Sequence, residues 1–268
     1  MIETESKHAT FRRLHQSGCF VIPNPWDIGS ARVLEQLGFP ALATTSAGFA
    51  WSRGRADNHV PLEDALRHFE EIAAAVDVPI NGDFEGGFAV EPAHVAQNVG
   101  RAVRTGLSGV SIEDSTGTAE EPLYDFPLAL ERVKAACAAV AGSGVVLTAR
   151  SEGFLVGRPD LAETVRRLTA YAEAGADCLY APGIKTPEHV SAVVRAVAPK
   201  PVNLLISSNH LTVARAAELG VRRISVGGAL ARAAWSGFMA AAREIARDGT
   251  FNALATAAPY SEVDGLFD

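Results

Sequence analysis

The sequence is poor in cysteine and has no long apolar run. Its three cysteines, Cys19, Cys137 and Cys178, stand far apart and show neither zinc-site nor disulfide-framework spacing. Such a sparse, odd set is typical of a reducing compartment, and we expect these side chains to act as small core residues. No apolar segment reaches the roughly 18 residues of a membrane span, and residues 1–18 are too polar for a signal peptide. We therefore expect a cytoplasmic protein that does not contact a membrane.

The sequence also lacks an excess of positive charge. Lys and Arg number 24 against 31 Asp and Glu, which gives a net charge of −7 at pH 7. Such a chain offers no electrostatic surface to nucleic acid or to an anionic membrane. It has no glycine-rich dinucleotide fingerprint after its first apolar run. His59, His94, His189 and His210 show no metal-ligand spacing, and we interpret them as surface or capping residues.

What the sequence does contain is a repeated unit. A short apolar, β-rich run is followed by a turn and then by an alanine-rich helical pattern, such as those at 61–76 and 161–175. Strands that alternate with helices indicate βαβ units and a parallel sheet. Eight such units in 268 residues predict one (β/α)₈ barrel domain over residues 1–268. The eight apolar runs are 19–23, 41–46, 79–85, 109–114, 145–150, 178–183, 201–206 and 223–228.

Acidic residues gather at the ends of two neighbouring runs. Asp83 and Glu85 end the third run and point the same way if that run is a strand, and Glu113 ends the fourth. Three carboxylates in one pocket repel each other unless a cation joins them. Oxygen ligands without His or Cys favour Mg²⁺ or Mn²⁺. The alternative is that some of these acids cap helices or pair with Arg150.

Other polar residues at the strand ends are candidates for substrate binding. Arg150 ends the fifth run, where a guanidinium can bind a carboxylate through two hydrogen bonds, although a structural ion pair is an open alternative. Ser46, with the amides of Ala47 and Gly48, can form a loop that binds carboxylate or phosphonate oxygens. Asn203 lies in the seventh run and is a further candidate.

Five segments together resemble the isocitrate lyase and phosphoenolpyruvate mutase superfamily, in the order of that family and over roughly residues 10–240. The resemblance implies a barrel whose eighth helix exchanges with a neighbouring subunit in a homodimer or homotetramer. Trp235, Phe238 and Met239 support this weakly, since they make the last helix unusually apolar. The five segments are 24–32 (NPWDIGSAR), 45–48 (TSAG), 83–88 (DFEGGF), 109–114 (GVSIED) and 149–150 (AR).

The resemblance also implies roles for individual residues. Asp83 would bind Mg²⁺ directly, and Glu85 and Glu113 would bind it through water. Ser46, Ala47 and Arg150 would hold the substrate, with Asp57 nearby as a catalytic candidate. By itself Asp57 has the pattern of a solvated loop residue or a helix N-cap.

The chain departs from the family in the loop at 115–124 (STGTAEEPLY), which has neither the cysteine nor the lysine that the lyases carry there. In the lyases that cysteine is the general acid. Glu121 lies eight residues after Glu113, at the spacing of the missing cysteine, and is our candidate for a replacement acid. The alternatives are that Thr118 or a water takes over, or that the loop transfers no proton.

The sequence therefore predicts an enzyme that acts on a small 2-oxo or 2-hydroxy carboxylic acid. We expect a Mg²⁺-dependent lyase or hydrolase that cleaves a C–C bond through an enolate-like intermediate. A phosphonomutase or phosphonopyruvate hydrolase that acts on a P–C bond is the second hypothesis. The third is a catalytically silent protein that binds small dicarboxylates.

Overall fold

Eight parallel strands form a nearly closed barrel, and each lies within one of the predicted apolar runs. The structure is a computed structural model that describes residues 6–267, so any interpretation of residues 1–5 and 268 lies outside it. The strands are β1 (Phe20–Ile22), β2 (Leu42–Ala43), β3 (Ile80–Asp83), β4 (Gly109–Glu113), β5 (Val146–Arg150), β6 (Cys178–Tyr180), β7 (Val202–Leu205) and β8 (Arg223–Ser225). They follow the order β1-β8-β7-β6-β5-β4-β3-β2. The amide of Ala43 donates to the carbonyl of Pro23 (3.0 Å) and joins the two edges next to β1 and β2.

Helices connect the strands and surround the barrel. The patterns predicted at 61–76 and 161–175 correspond to α4 and α7. None of the helices in residues 6–267 is long and apolar enough to cross a membrane. The helices are α1 (Lys7–Leu14), α2 (Ile28–Gln36), α3 (Ser46–Ser52), α4 (Leu62–Ala75), α5 (Pro92–Val103), α6 (Phe126–Val140), α7 (Leu161–Glu173), α8 (Pro187–Val197), α9 (Val213–Glu218), α10 (Ala229–Asp248), a 3₁₀ helix (Asn252–Thr256) and α11 (Tyr260–Asp264).

Helix α1 packs against the barrel at the end opposite the carboxyl ends of the strands. Its Phe11 is fully buried in a cluster with Phe20, Ile22 and Val146. A Cβ at Gly109 would lie 2.5 Å from the ring of Phe11, so only glycine allows this approach. The barrel is therefore closed below by an aromatic side chain, and its carboxyl-end face is the open one.

His15, just after α1, is held neutral beneath the barrel. Its Nδ1 donates to the carbonyl of Phe11 (2.7 Å), which leaves Nε2 to accept from Nη1 of Arg223 (3.3 Å). Burial, followed by the positive charge of Arg223, lowers the pKa of His15 to about 3. The folded protein therefore carries a neutral imidazole here over the whole physiological range.

Helix α10 is largely uncovered within one chain. Ala231 is its only residue that is buried within the described chain. Five of its large apolar side chains remain exposed: Leu230 (37%), Trp235 (37%), Phe238 (62%), Met239 (36%) and Ile245 (38%). The exchange of this helix between subunits stays a prediction, and the exposed face is the surface it would require.

The state of His15 predicts a loss of stability on acidification. The unfolded chain binds a proton at this residue near pH 6.5 and the folded chain only near pH 3. The part of the unfolding free energy that depends on a neutral His15 is therefore fully present above about pH 6.5 and is lost as the pH falls toward 3. Between pH 7.5 and pH 5 we expect wild type to lose about 2 kcal/mol more unfolding free energy than His15→Gln, in urea titrations. Equal losses in the two proteins would contradict this assignment.

Candidate active site

A pocket of about 280 Å³ opens at the carboxyl ends of the strands. In such barrels the catalytic residues come from these strand ends, because the loops there carry the functional side chains. Asp83, Arg150 and Tyr180 end β3, β5 and β6, and all three line the pocket. Ser46 and Asp57 approach from the segment that follows β2.

Arg150 lies at the centre of the acidic cluster. Its Nη1 is 2.7 Å from Asp83 Oδ1, its Nη2 is 3.2 Å from Glu113 Oε2, and its Nε is 2.8 Å from Glu152 Oε1. The guanidinium also lies over the ring of Tyr180, with its carbon 5.1 Å from the ring centroid. Both sequence interpretations of Arg150 therefore have a geometric basis, since it lines the pocket and is ion-paired.

The carboxylates of this cluster outnumber the positive charges beside them. Burial, and then the negative charges of Asp83 and Asp57, raise the pKa of Glu85 to about 8. Burial also raises the pKa of Glu113, although Arg150 opposes the shift. Burial raises the pKa of Glu152 to about 7, and Arg150 again opposes the shift. One guanidinium does not neutralise four carboxylates in a desolvated site, so a bound cation is electrostatically favoured here.

The donor set fits Mg²⁺ held largely by water. Within residues 6–267, no three His, Cys, Asp or Glu side chains form a ready-made metal cluster. Asp83 and Glu113 instead contact Arg150. Mg²⁺ usually keeps several waters and takes only one or two protein carboxylates, so it does not need a complete protein cage. Asp83 as the direct ligand, with Glu85 and Glu113 behind water, is compatible with these positions.

Glu85 is presented by an unusual turn. Its φ is +47°, followed by +75° at Gly87 and +54° at Phe88, a left-handed region that non-glycine residues rarely adopt. The buried Arg132 donates to the carbonyls of Gly86, Ala89 and Val90 and so holds this turn together. The strained backbone of Glu85 is thus maintained by a side chain from α6.

The first turn of α3 forms one wall of the pocket. The amide of Ser46 donates to Asp83 Oδ2 (3.0 Å), which fixes this turn to the acidic cluster. Ser46 and Ala47 line the pocket, whereas Gly48 does not. The amide of Gly48 donates to Thr45 Oγ1 (3.3 Å), and a Cβ there would lie 2.9 Å from Trp26 Cβ. Gly48 therefore serves the packing of α3 in this structure.

Asp57 stands at the rim of the pocket in the exposed loop between α3 and α4. Partial burial of its carboxylate, and then the nearby charge of Asp83, raise its pKa. Its Oδ1 accepts from the amide of Asn58 (3.1 Å), so it does not cap α4, which begins after Pro61. An acid with a raised pKa beside a substrate pocket is suited to proton transfer.

The loop at 115–124 folds as a small hairpin above this region. Ser115 pairs with Leu123, and the amide of Thr116 donates to the carbonyl of Pro122 (3.1 Å). The hydroxyls of Thr116 and Thr118 both point to the carbonyl of Glu121. Glu121 itself is exposed and does not line the pocket.

Neither Glu152 nor the residues of α7 that support it through Asp114 were selected from the sequence. Glu152 follows Arg150 by two residues, and that spacing on a strand end is a signal that could have identified it. Its amide donates to Asp114 Oδ1 (2.8 Å), and Asp114 Oδ2 accepts from Tyr171 (2.8 Å) and Arg167 (3.1 Å). This second layer comes from α7, and no local sequence pattern links it to the strand ends.

Asn203 lies deeper in the pocket than the acidic cluster. It is 1% exposed and its Nδ2 donates to Ser225 Oγ (2.9 Å). Its Oδ1 accepts from Nε of Arg223 (2.9 Å). Asn203 and Arg223 both line the pocket, so the pocket extends from the strand ends down into the barrel.

Several known proteins are similar over nearly the whole chain. An uncharacterised protein of Mycobacterium tuberculosis is 32% identical over 256 residues, which cover 95% of this chain and 94% of the relative. A structure from Burkholderia cenocepacia, named as a candidate lyase or mutase, matches with a TM-score of 0.92 and 45% identity, covering 97% and 95% of the two chains.

Two structures of enzymes with a named activity match the same barrel. Phosphonopyruvate hydrolase in complex with oxalate and Mg²⁺ has a TM-score of 0.85 and 28% identity, covering 97% of this chain and 95% of its own. Oxaloacetate acetylhydrolase in complex with its product oxalate has a TM-score of 0.85 and 26% identity, covering 97% and 93%. Relatives of this chain thus include one hydrolase named for phosphonopyruvate and one named for oxaloacetate.

A family model described as phosphoenolpyruvate phosphomutase matches residues 11–246, which span all eight strands. The motifs that resemble this superfamily lie within the matched range and supply Ser46, Ala47, Asp83 and Arg150 of the pocket. The chain therefore belongs to the phosphoenolpyruvate phosphomutase family, within the superfamily of phosphoenolpyruvate mutases and isocitrate lyases.

Proposed function

We propose that the protein is a Mg²⁺-dependent lyase or hydrolase that cleaves a C–C bond of a small 2-oxo or 2-hydroxy carboxylic acid, with Mn²⁺ as an alternative metal. The observation that carries this proposal is the contact of Asp83 with both Arg150 and the Ser46 amide within one pocket. The proposed metal ligand Asp83, the guanidinium of Arg150 and the first turn of α3 therefore lie close together. An oxalyl group can bind between them. The matched structures with oxalate support this reading.

The pocket residues can bind and orient the acid end of such a substrate. Arg150 presents a guanidinium that can bind a carboxylate, while Ser46 and Ala47 present the first turn of α3, where amides lack helical acceptors. Tyr180 stays protonated, because burial raises its pKa to about 12, so its hydroxyl can donate. When bound, Mg²⁺ supplies a Lewis acid that stabilises negative charge developing on the substrate oxygen.

Asp57 is the group best situated to move a proton. It lines the pocket and has a raised pKa, whereas Glu121 is exposed outside the pocket lining. In our proposal Asp57 exchanges a proton with the substrate's reacting oxygen or carbon, and Glu121 has no part in that step. The loop at 115–124 then acts as a cover.

The second candidate is cleavage of a P–C bond, which the match to phosphonopyruvate hydrolase favours. The two candidates differ in their products. A screen of 2-hydroxy acids, oxaloacetate and phosphonopyruvate, with Mg²⁺ and with EDTA, separates them. Release of oxalate, glyoxylate or pyruvate from a carbon acid supports C–C cleavage. Release of phosphate from phosphonopyruvate, or its conversion to phosphoenolpyruvate, supports P–C cleavage. Binding of Mg²⁺ and oxalate without turnover of any candidate would identify a silent binder and contradict both.

Metal binding should depend on Asp83. Asp83→Ala removes the proposed direct ligand, so we expect Mg²⁺ binding and activity to fall below detection in calorimetry and in the screen. Asp77→Asn is the matched control, because Asp77 is exposed ahead of β3 at the other end of the barrel. An Asp83→Ala protein that binds Mg²⁺ as tightly as the control would show that the metal assignment is wrong.

The two acid candidates should differ sharply in their effect on turnover. Asp57→Asn keeps the shape of the side chain and removes its proton transfer, so kcat should fall by about 10²-fold or more. Glu121→Gln should change kcat less than about threefold, because its carboxylate is outside the pocket. Both variants are compared on the substrate found in the screen. A large fall in kcat with Glu121→Gln and a small one with Asp57→Asn would instead assign proton transfer to Glu121 in the loop.

We also propose that α10 packs against a second copy of the chain. Its exposed apolar side chains, Trp235, Phe238 and Met239, favour an interface. Light scattering at micromolar concentration should therefore give two or four times the 28.2 kDa chain mass. Phe238→Glu should lower that mass, whereas Arg243→Glu, also on α10, should change it less. A wild-type monomer would contradict the proposal.

A further inference from the structure

His68 has a buried ring nitrogen without a hydrogen-bond partner. It lies in the middle of α4, is 4% exposed, and its Nε2 contacts no donor or acceptor in residues 6–267. Its ring stacks on that of Phe49, with centroids 3.8 Å apart and 12° between the planes. Burial lowers the pKa of His68 to about 4, so the ring is neutral and its Nε2 is either an N–H donor or a lone-pair acceptor. A buried polar atom left unsatisfied is unfavourable in both forms.

A cavity of about 10 Å³ is lined by His68 and by two acids of the proposed metal site, Asp83 and Glu85. This is room for about one water molecule and for no larger ligand. A cavity of that size holds water when its wall is polar and offers two or more hydrogen-bond partners. The wall beside His68 therefore has the composition of a water site.

Two hydroxyls add to the polar wall of this cavity. Thr44 Oγ1 accepts from the amide of Asp83 (2.9 Å), and Thr45 Oγ1 accepts from the amide of Gly48 (3.3 Å). Both threonines line the cavity. A hydroxyl that accepts one hydrogen bond still has a proton to donate. A water molecule would therefore find donors as well as acceptors around it.

The carboxylate of Glu85 also lacks a direct partner. No hydrogen bond or ion pair joins it to another residue of the described chain. Both oxygens of Asp83 are by contrast occupied, by Arg150 Nη1 (2.7 Å) and by the Ser46 amide (3.0 Å). The turn held by Arg132 fixes the backbone of Glu85 and leaves its side-chain torsions free. Carboxylates at metal sites are usually held by hydrogen bonds of their own, so Glu85 needs a further contact.

His68 differs from the other residues that have a buried polar atom without a partner. Residues 6–267 contain six such side-chain atoms. Among the six residues, only His68 shares a water-sized cavity with a carboxylate that also lacks a partner. Asn81 lines the larger pocket of about 280 Å³, and the other four line neither of these spaces: Ser108, Arg132, Ser151 and His210.

We propose that His68 is a positioning residue, whose Nε2 holds a water molecule that bridges to the carboxylate of Glu85 and orients it toward the metal site. The water donates to Glu85, and it accepts from or donates to Nε2 according to the tautomer. This inference rests on the proposed function, which assigns Glu85 to the metal. His68 touches neither metal nor substrate, and it connects α4 to the acid that follows β3.

A crystal structure of the unmodified protein with Mg²⁺ tests the bridge directly. We expect one ordered water within about 3.2 Å of both His68 Nε2 and an oxygen of Glu85. A cavity without water density, a direct contact between the two side chains, or a water bound to His68 but not to Glu85 would overturn the inference.

Two substitutions separate the hydrogen bond of His68 from its packing. His68→Phe keeps a ring on Phe49 and removes Nε2, so Mg²⁺ affinity in calorimetry should fall about tenfold or more. His68→Gln loses the stacked ring and places an amide near the position of Nε2, so Mg²⁺ affinity should stay within about threefold of wild type. Thermal unfolding should show the opposite order, with His68→Gln the less stable protein.

His189→Phe is the matched control for these measurements. His189 also contacts an aromatic ring, that of Phe154 at 5.4 Å, and it lines neither the cavity nor the larger pocket. Mg²⁺ affinity should be unchanged in this variant. Equal affinities in His68→Phe and wild type, or a greater loss in His68→Gln than in His68→Phe, would show that His68 acts only through packing and would overturn the inference.

Failure of this inference is distinguishable from failure of the proposed function. If wild type does not bind Mg²⁺, the proposed function is wrong and the inference fails with it. If wild type and His68→Phe bind Mg²⁺ equally well, only the role of His68 is wrong. Should His68→Phe fail to fold, the water in the wild-type crystal structure still decides the question.

Discussion

The buried charge of Arg150 is the interaction on which the site depends. It contacts Asp83 at the end of β3, Glu113 at the end of β4 and Glu152 just after β5. These ion pairs fix three neighbouring strand ends relative to one another. Removing one partner of a buried pair typically costs about 3–5 kcal/mol, because the remaining charge is left without a counter-ion. The same contacts therefore stabilise the barrel rim and position the groups that would meet a substrate.

Contacts outside the pocket hold this arrangement in place. Asp114 joins the backbone after β5 to Tyr171 and Arg167 on α7, all three largely buried. Arg132 on α6 holds the left-handed turn that presents Glu85. The several hydrogen bonds of these buried groups make the support rigid, although Arg132 Nε has no partner among the described residues. The helices thus do more than cover the sheet, since they set the orientation of side chains at the strand ends.

Charge is distributed unevenly along the pocket. The acidic cluster, of which Asp83 lines the pocket, has four acids around one arginine and favours an added cation, whereas the buried Arg223 has only neutral partners. A metal ion beside Asp83 would correct the first of these imbalances. The family relationship supports that correction, since a matched structure of phosphonopyruvate hydrolase contains Mg²⁺ and oxalate.

The sequence by itself determined the eight strands, because strands buried on both faces require continuous apolar runs, and it located Asp83, Glu113 and Arg150, because a parallel barrel brings such strand ends together. It also identified the family through its ordered motifs. Tertiary structure decided the rest. Loop and helix conformations decide that Glu152 pairs with Arg150, that Asp57 approaches the pocket and that Gly48 lies outside the pocket lining. Arg223 lies more than seventy residues from Arg150 in sequence. Only closure of the barrel brings the two into one pocket, and no local pattern encodes that distance.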